Sequence, residues 1–148
     1  MLLLEKKKFQ PLSDYDVSDY VKRFKIKNFR GVFTKDKLPT RIKPIECGIV
    51  NLQSYFEGNG THWVAYYKDD KHKYYFDSYG DVPPPKELVA YLGHENIVVN
   101  DEPVQFLKEK APICGHLCLL VLKNLTEGKK FNKKTLQKCR YEQLTKYF

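Results

Sequence analysis

The sequence predicts an α+β fold, a small central β-sheet flanked by helices, in one domain spanning residues 1–148. Three observations predict it. Aromatic and β-branched runs cluster between residues 48 and 78, cut by turn residues. The stretch from Cys114 to about Leu125, CGHLCLLVLKNL, is apolar around most of its helical circumference, as buried helices are. Helical apolar spacing also stands near both ends of the chain. A chain of 148 residues buries roughly 70% of its surface on folding. Its 42% hydrophobic and 14% aromatic content supplies a core and excludes wholesale disorder.

In chain order, Ser13 followed by Asp16 has the form of a capping box. It opens a helix through about Lys25, with Tyr20, Val21 and Phe24 on one face. Residues 28–46 hold Gly31, Pro39 and Pro44 and read as irregular, with short strands at most. Strands are expected at Gly48 to Leu52, at Thr61 to Tyr67 and at Lys73 to Ser78. The Gly58-Asn59-Gly60 turn precedes the second, and the charged turn Lys68 to Lys71 makes the last two a hairpin. Pro85 to Leu92 reads as a short helix with proline in its first turn. Ile97 to Val99 and Pro103 to Phe106 are short strand candidates. After the buried helix Gly128 is a stop, and Asn132 to Tyr147 reads as one amphipathic basic helix.

Charge is unevenly spread. Residues 1–105 carry 16 Lys and Arg against 15 acids, whereas residues 106–148 carry ten against three. Lys129, Lys130, Lys133, Lys134, Lys138 and Arg140 form a basic cluster suited to sequence-independent DNA contact, although a merely solvated helix face has the same composition. The opening MLLLEKKKF lacks the apolar stretch of a signal peptide, and the apolar run Leu117 to Leu122 is far too short to span a bilayer. A soluble protein in a reducing intracellular compartment is expected, with no membrane partner. The four cysteines, Cys47, Cys114, Cys118 and Cys139, are then free thiols.

Free thiols are mostly inert core groups, so each is judged by its neighbours. A nucleophilic cysteine works as thiolate, which a helix N-terminus, a nearby imidazolium and partial exposure favour. Cys114 follows Pro112 and opens the apolar helix, and Gly115 beside it would let a substrate backbone approach. Cys118 lies a turn deeper. Of the four histidines, His72 sits in a lysine-rich turn, His94 in a polar loop, and His116 on another side of the Cys114 helix. His62 opens an aromatic strand, and the next strand ends in Asp77, a hairpin's width away. Such a carboxylate can accept the Nδ1 proton and leave Nε2 facing the thiol. The physical reading alone makes His62, Asp77 and Cys114 a candidate constellation, beside the bland readings of a strand histidine, a turn acid and a core thiol.

THWVAYY, then YYFDSYG, then Gln105, then CGHLC, in that order, resembles the adenovirus protease (adenain) family and its relatives in Maverick/Polinton elements. The wider fold group contains the SUMO- and ubiquitin-like-specific proteases. The resemblance runs from about Gly48 to Gly128, and the lead-in NFRGVFTKDKLP is similar to that of the viral and transposon members. It implies a papain-like fold with the nucleophile at the start of a buried helix. It also implies a cysteine endopeptidase in which His62 is general base, Asp77 orients it and Cys114 attacks. Gln105 would supply a side-chain donor to the oxyanion beside the Cys114 N–H. Trp63 would narrow the groove so that only small, Gly-type residues fit before the scissile bond. The nine positions between Gln105 and Cys114 exceed the family interval, and FLKEKAPI is bulkier than the residues usual there.

The resemblance implies a capsid or precursor polypeptide as substrate, with the host nucleus or cytoplasm or the virion as the place of action. A monomer is expected, needing no cofactor, with activation by DNA or a peptide left open. Two other readings stand beside it. One is an isopeptidase acting on SUMO- or ubiquitin-like tails; the other is a non-enzymatic basic nucleic-acid-binding protein that keeps the fold. No metal is expected. Cys114 and Cys118 lie a turn apart, with Cys47 or Cys139 conceivable as further ligands, but zinc sites usually place a close pair on a turn.

Overall fold

A computed structural model describes residues 10–53, 62–104, 113–139 and 141–148. Helix α1 (Asp14–Arg23) starts at the expected capping box. Ser13 Oγ accepts from the Asp16 N–H at 3.1 Å, and Asp16 Oδ2 accepts from the Ser13 N–H at 2.9 Å. Tyr20, Val21 and Phe24 pack against the core as the spacing predicts, around a fully buried Val17.

Five strands follow in part: β1 (Phe29–Thr34), β2 (Glu46–Asn51), β3 (Trp63–Lys68), β4 (Lys73–Phe76) and β5 (Ile97–Val99), the last after helix α2 (Lys86–Leu92). They lie side by side in the order β1-β2-β3-β4-β5, and the sheet is mixed. β2, β3 and β4 pair antiparallel, while β1 and β5 are added parallel at the two edges. The β3–β4 hairpin is the one read from the aromatic runs. Strand β1 corrects the expectation of an irregular stretch over 28–46. All six of its residues are half-buried, so it carries no inside–outside alternation to read.

The central strands alternate their faces with period two. Cys47, Ile49, Ala65 and Phe76 point to one side, where they meet α1 and helix α3 (Cys114–Thr126). Val50, Val64, Tyr66 and Tyr75 point to the other, under Leu88 and Leu92 of α2. Helix α3 buries Gly115 through Leu122 and Leu125, as an all-round apolar helix must between a sheet and further helices.

The single closing helix expected over 132–147 is two: α4 (Lys133–Gln137), capped by the Asn132 side chain, and α5 (Tyr141–Tyr147). At the break the N–H groups of Lys138 and Cys139 donate to carbonyls three residues back, the tight geometry that ends helices. Cys139 is thereby turned into the core, where Asn124 of α3 donates to its Sγ at 3.4 Å. Pro103 and Val104 lie outside any strand, and the rest of that candidate strand lies outside the described residues. Among the described residues no helix is long and apolar enough to cross a membrane.

Candidate active site

Two neighbouring strands and one helix end meet at a single corner. His62 stands immediately before β3, its carbonyl extending the ladder by accepting from the Leu52 N–H at 3.0 Å. Asp77 follows β4 directly. The antiparallel register, Ala65 opposite Phe76, therefore brings the two side chains together without any loop rearrangement. Nε2–H of His62 donates to Asp77 Oδ1 at 2.5 Å. The Cys114 side chain, from the first residue of α3, lies close enough to this ring to raise its pKa.

The choice of nitrogen corrects the sequence reading. Nε2 faces the carboxylate, so Nδ1 is the nitrogen left for the sulfur.

Asp77 is 1% exposed yet kept charged by donors. The backbone N–H of Tyr79 reaches Oδ1 at 3.1 Å, while those of Asp81 and Val82 reach Oδ2 at 3.1 and 2.8 Å. Burial pushes this carboxyl up, but the His62 hydrogen bond and these backbone donors outweigh it and bring it below the usual carboxylate range. For His62 burial favours the neutral ring. The hydrogen bond to Asp77 and the nearby Cys114 side chain, with the charges behind them, reverse that and push the imidazole up from 6.5 to about 9.

Cys114 is half-buried, whereas Cys47, Cys118 and Cys139 are each at most 1% exposed. Burial pushes the Cys47 and Cys139 thiols up to about 12 and Cys118 well above its ordinary value, so these three stay inert thiols. Helix α3 has no side-chain cap at Ile113, and its first i→i−4 bond runs from Leu117 to Ile113. The Cys114 N–H stands ahead of that ladder, at the positive end of the helix dipole.

Trp63 packs against Gly115. A Cβ there would lie 2.9 Å from Trp63 Cε3, and Leu12 closes the same space from the α1 lead-in. The missing side chain seats the indole.

Three contributors carry no signal in the sequence spacing. Asn100 accepts from the Asp77 N–H at 2.9 Å and donates to the Asp77 carbonyl at 2.7 Å, from 23 positions away. Gly80 has φ +76° and lies so close to Glu102 and Pro103 that a Cβ would meet their backbone at 2.7 Å. Tyr79 stacks on the His62 ring. Val104 donates its N–H to the Ser78 carbonyl at 2.8 Å. Gln105 itself lies outside the described residues, as does Arg140.

Lys129, Lys130, Lys133, Lys134 and Lys138 are exposed, after α3 and along α4. Lys129 and Lys130 follow the far end of the 13-residue helix that Cys114 opens. Lys133 is paired with Glu102 at 3.0 Å and Lys129 with Glu127 at 3.5 Å. Among the described residues no group of three or more His, Cys, Asp or Glu side chains could hold a metal ion.

No family model matches the sequence, and no curated protein matches it. The structure is similar to two solved forms of the SUMO protease Ulp1. One, with its catalytic cysteine oxidised to a sulfinic acid, has a TM-score of 0.54 at 16% identity and covers 93% of this chain and 79% of that one. The other, with the cysteine as a sulfenic acid, has a TM-score of 0.52 at 15% identity and covers 93% and 77%. At such identities the likeness establishes the fold, the α+β arrangement of the wider cysteine-protease group; it does not single out the viral and transposon members.

Proposed function

We propose that this chain is a cysteine-type endopeptidase that cleaves after small, Gly-type residues. The observation that carries the reading is the His62 imidazole bonded to buried Asp77 and lying within the field of half-buried Cys114, at an uncapped helix start. A thiolate–imidazolium pair of this kind attacks a peptide carbonyl carbon. The oxyanion gathers the Cys114 N–H and, by resemblance, the Gln105 side-chain amide; losing one such donor costs about 3 kcal/mol of barrier. The imidazolium then gives its Nδ1 proton to the departing amine. Water, deprotonated by the same nitrogen, releases the acyl group from sulfur. Asp77 keeps the ring in register throughout. No metal enters these steps, because the sulfur is itself the nucleophile.

Viral or transposon precursor polypeptides, capsid proteins above all, are the substrates the sequence motifs favour. Trp63, seated on Gly115, is the side chain placed to exclude bulky residues before the bond. The exposed lysines after α3 and on α4, with Arg140, supply a sequence-independent DNA contact, and DNA or a peptide acts as activator in the host nucleus, cytoplasm or virion. The likeness to Ulp1 favours a second reading, cleavage of SUMO- or ubiquitin-like tails.

The test is digestion of a precursor-peptide library and of a panel of modifier fusions by the wild type and Cys114→Ala, with and without DNA. Cleavage of Gly-type peptides that vanishes in Cys114→Ala supports the proposal. Cleavage of the fusions alone transfers it to the second reading. Equal iodoacetamide labelling of all four thiols, with no cleavage, points instead to a binding protein that merely keeps the fold.

A further inference from the structure

The His62 ring is bonded at one nitrogen to Asp77 and lies within the field of Cys114. One hydrogen bond leaves a ring free to tip about it, whereas a face contact resists that, and the structure contains one. The Tyr79 ring lies against His62 with centroids 4.8 Å apart and planes inclined by 25°.

Tyr79 is placed there by the catalytic carboxylate itself. Its N–H donates to Asp77 Oδ1 at 3.1 Å, the same oxygen that takes the His62 proton. The turn is closed by the Gly80 N–H on the Asp77 carbonyl at 3.0 Å. It is braced from outside by the backbone of Glu102 and Pro103 against Gly80 and by Val104 on Ser78. A turn so enclosed has little freedom to carry Tyr79 off the imidazole. The phenol is half-buried, and burial together with the Cys114 and Asp77 charges pushes it up, which places it within the field of the same pair.

We propose that Tyr79 is a positioning residue, whose ring covers one face of the His62 imidazole and holds it in the plane that joins Asp77 to Cys114. The π face of a parallel aromatic ring also favours a cation beneath it, so the stack sustains the imidazolium on which the thiolate depends. The charged groups facing His62 are Asp77, from the end of β4, and Cys114, from α3. Tyr79 adds a ring face and no charge. The inference rests on the endopeptidase reading of this site.

Tyr79→Phe, Tyr79→Leu and Tyr79→Gln in the full chain test it. Two quantities are read: kcat and KM on a Gly-type peptide, and the rate of Cys114 alkylation by iodoacetamide at about pH 6 relative to about pH 9.5. At the lower pH only a paired cysteine is thiolate. Leu and Gln lower that ratio and kcat by about three- to tenfold, with KM within about twofold, while Phe keeps both within about twofold. Leu and Gln variants with the wild-type ratio overturn the proposal. So does a Phe variant as impaired as Leu, because it keeps the ring face. A wild type that itself shows no Cys114 labelling at the lower pH overturns the endopeptidase reading instead, so the two failures are distinguishable.

Discussion

Glu46 and Asp77 stand at opposite ends of the sheet's central strands, Glu46 opening β2 and Asp77 following β4, with 0% and 1% exposure. Each carboxylate is surrounded by donors. Around Glu46 these are the Tyr66 hydroxyl at 2.6 Å, the Tyr91 hydroxyl at 2.8 Å, the Lys43 N–H at 2.7 Å and Arg30 at 3.2 Å. Around Asp77 they are three backbone N–H groups and His62. Burial and the Glu46 charge push both phenols up, so nothing in that network gives up a proton near neutral pH. At Asp77 one oxygen is shared with a titratable imidazole, and that ring lies within the field of a half-buried sulfur. Saturation with hydrogen bonds therefore does not mark a functional carboxylate. What marks it is the titratable donor and where that donor's other edge leads.

Asp77→Asn gives the largest expected effect. Its single oxygen can serve the donors of only one side, and with the charge gone kcat/KM falls by about 10³-fold or more. It also moves the basic limb of activity. In the wild type the imidazolium persists until about pH 9, so activity falls above that value; without the carboxylate the limb moves to lower pH. Stability follows the same sign. The folded ring holds its proton more tightly than the unfolded one, so the stabilisation is complete below pH 6.5 and is lost as pH rises through about 9. A pH–rate profile with a parallel melting series checks both. An Asp77→Asn limb left in place breaks the comparison.

Glu46→Ala is the converse. It strands buried donors and costs about 3 kcal/mol, a fall of about 10 °C in Tm for a chain of this size. The kcat of the folded fraction stays within about twofold. A fall in kcat with unchanged melting would make Glu46 part of the site and end the contrast. Gly115→Ala lies between the two. Its new methyl must displace the Trp63 ring, which costs about 1–2 kcal/mol of stability and about tenfold in kcat/KM on Gly-type peptides, read from peptide hydrolysis and melting together. Lys133→Ala gives the smallest effect. Loss of its exposed pair with Glu102 changes stability by less than about 1 kcal/mol, and denaturant titration measures it.

Much of this corner was legible in the chain because hairpins and helix starts carry local signals. The turn-bounded aromatic runs placed His62 and Asp77 on adjacent strands, and the all-round apolar stretch placed Cys114 at a buried helix start. The orientation of the ring was not legible, because either nitrogen satisfies the same spacing. Nor was the role of Gly115. A missing side chain next to a cysteine serves an incoming backbone or a neighbouring indole equally well, and only packing decides between them. Asn100 escaped because its partner, Asp77, is fixed by sheet order, which no local pattern states. The break between α4 and α5 was hidden because Leu136, Cys139 and Leu144 also fit one continuous helical face.

The base and its carboxylate are joined by a local hairpin, while the sulfur arrives on a helix that must dock from the far side of β5 in the chain. If the chain is the proposed endopeptidase, cleavage requires α3 to be seated against β3, so a chain that ends before residue 114 lacks its nucleophile.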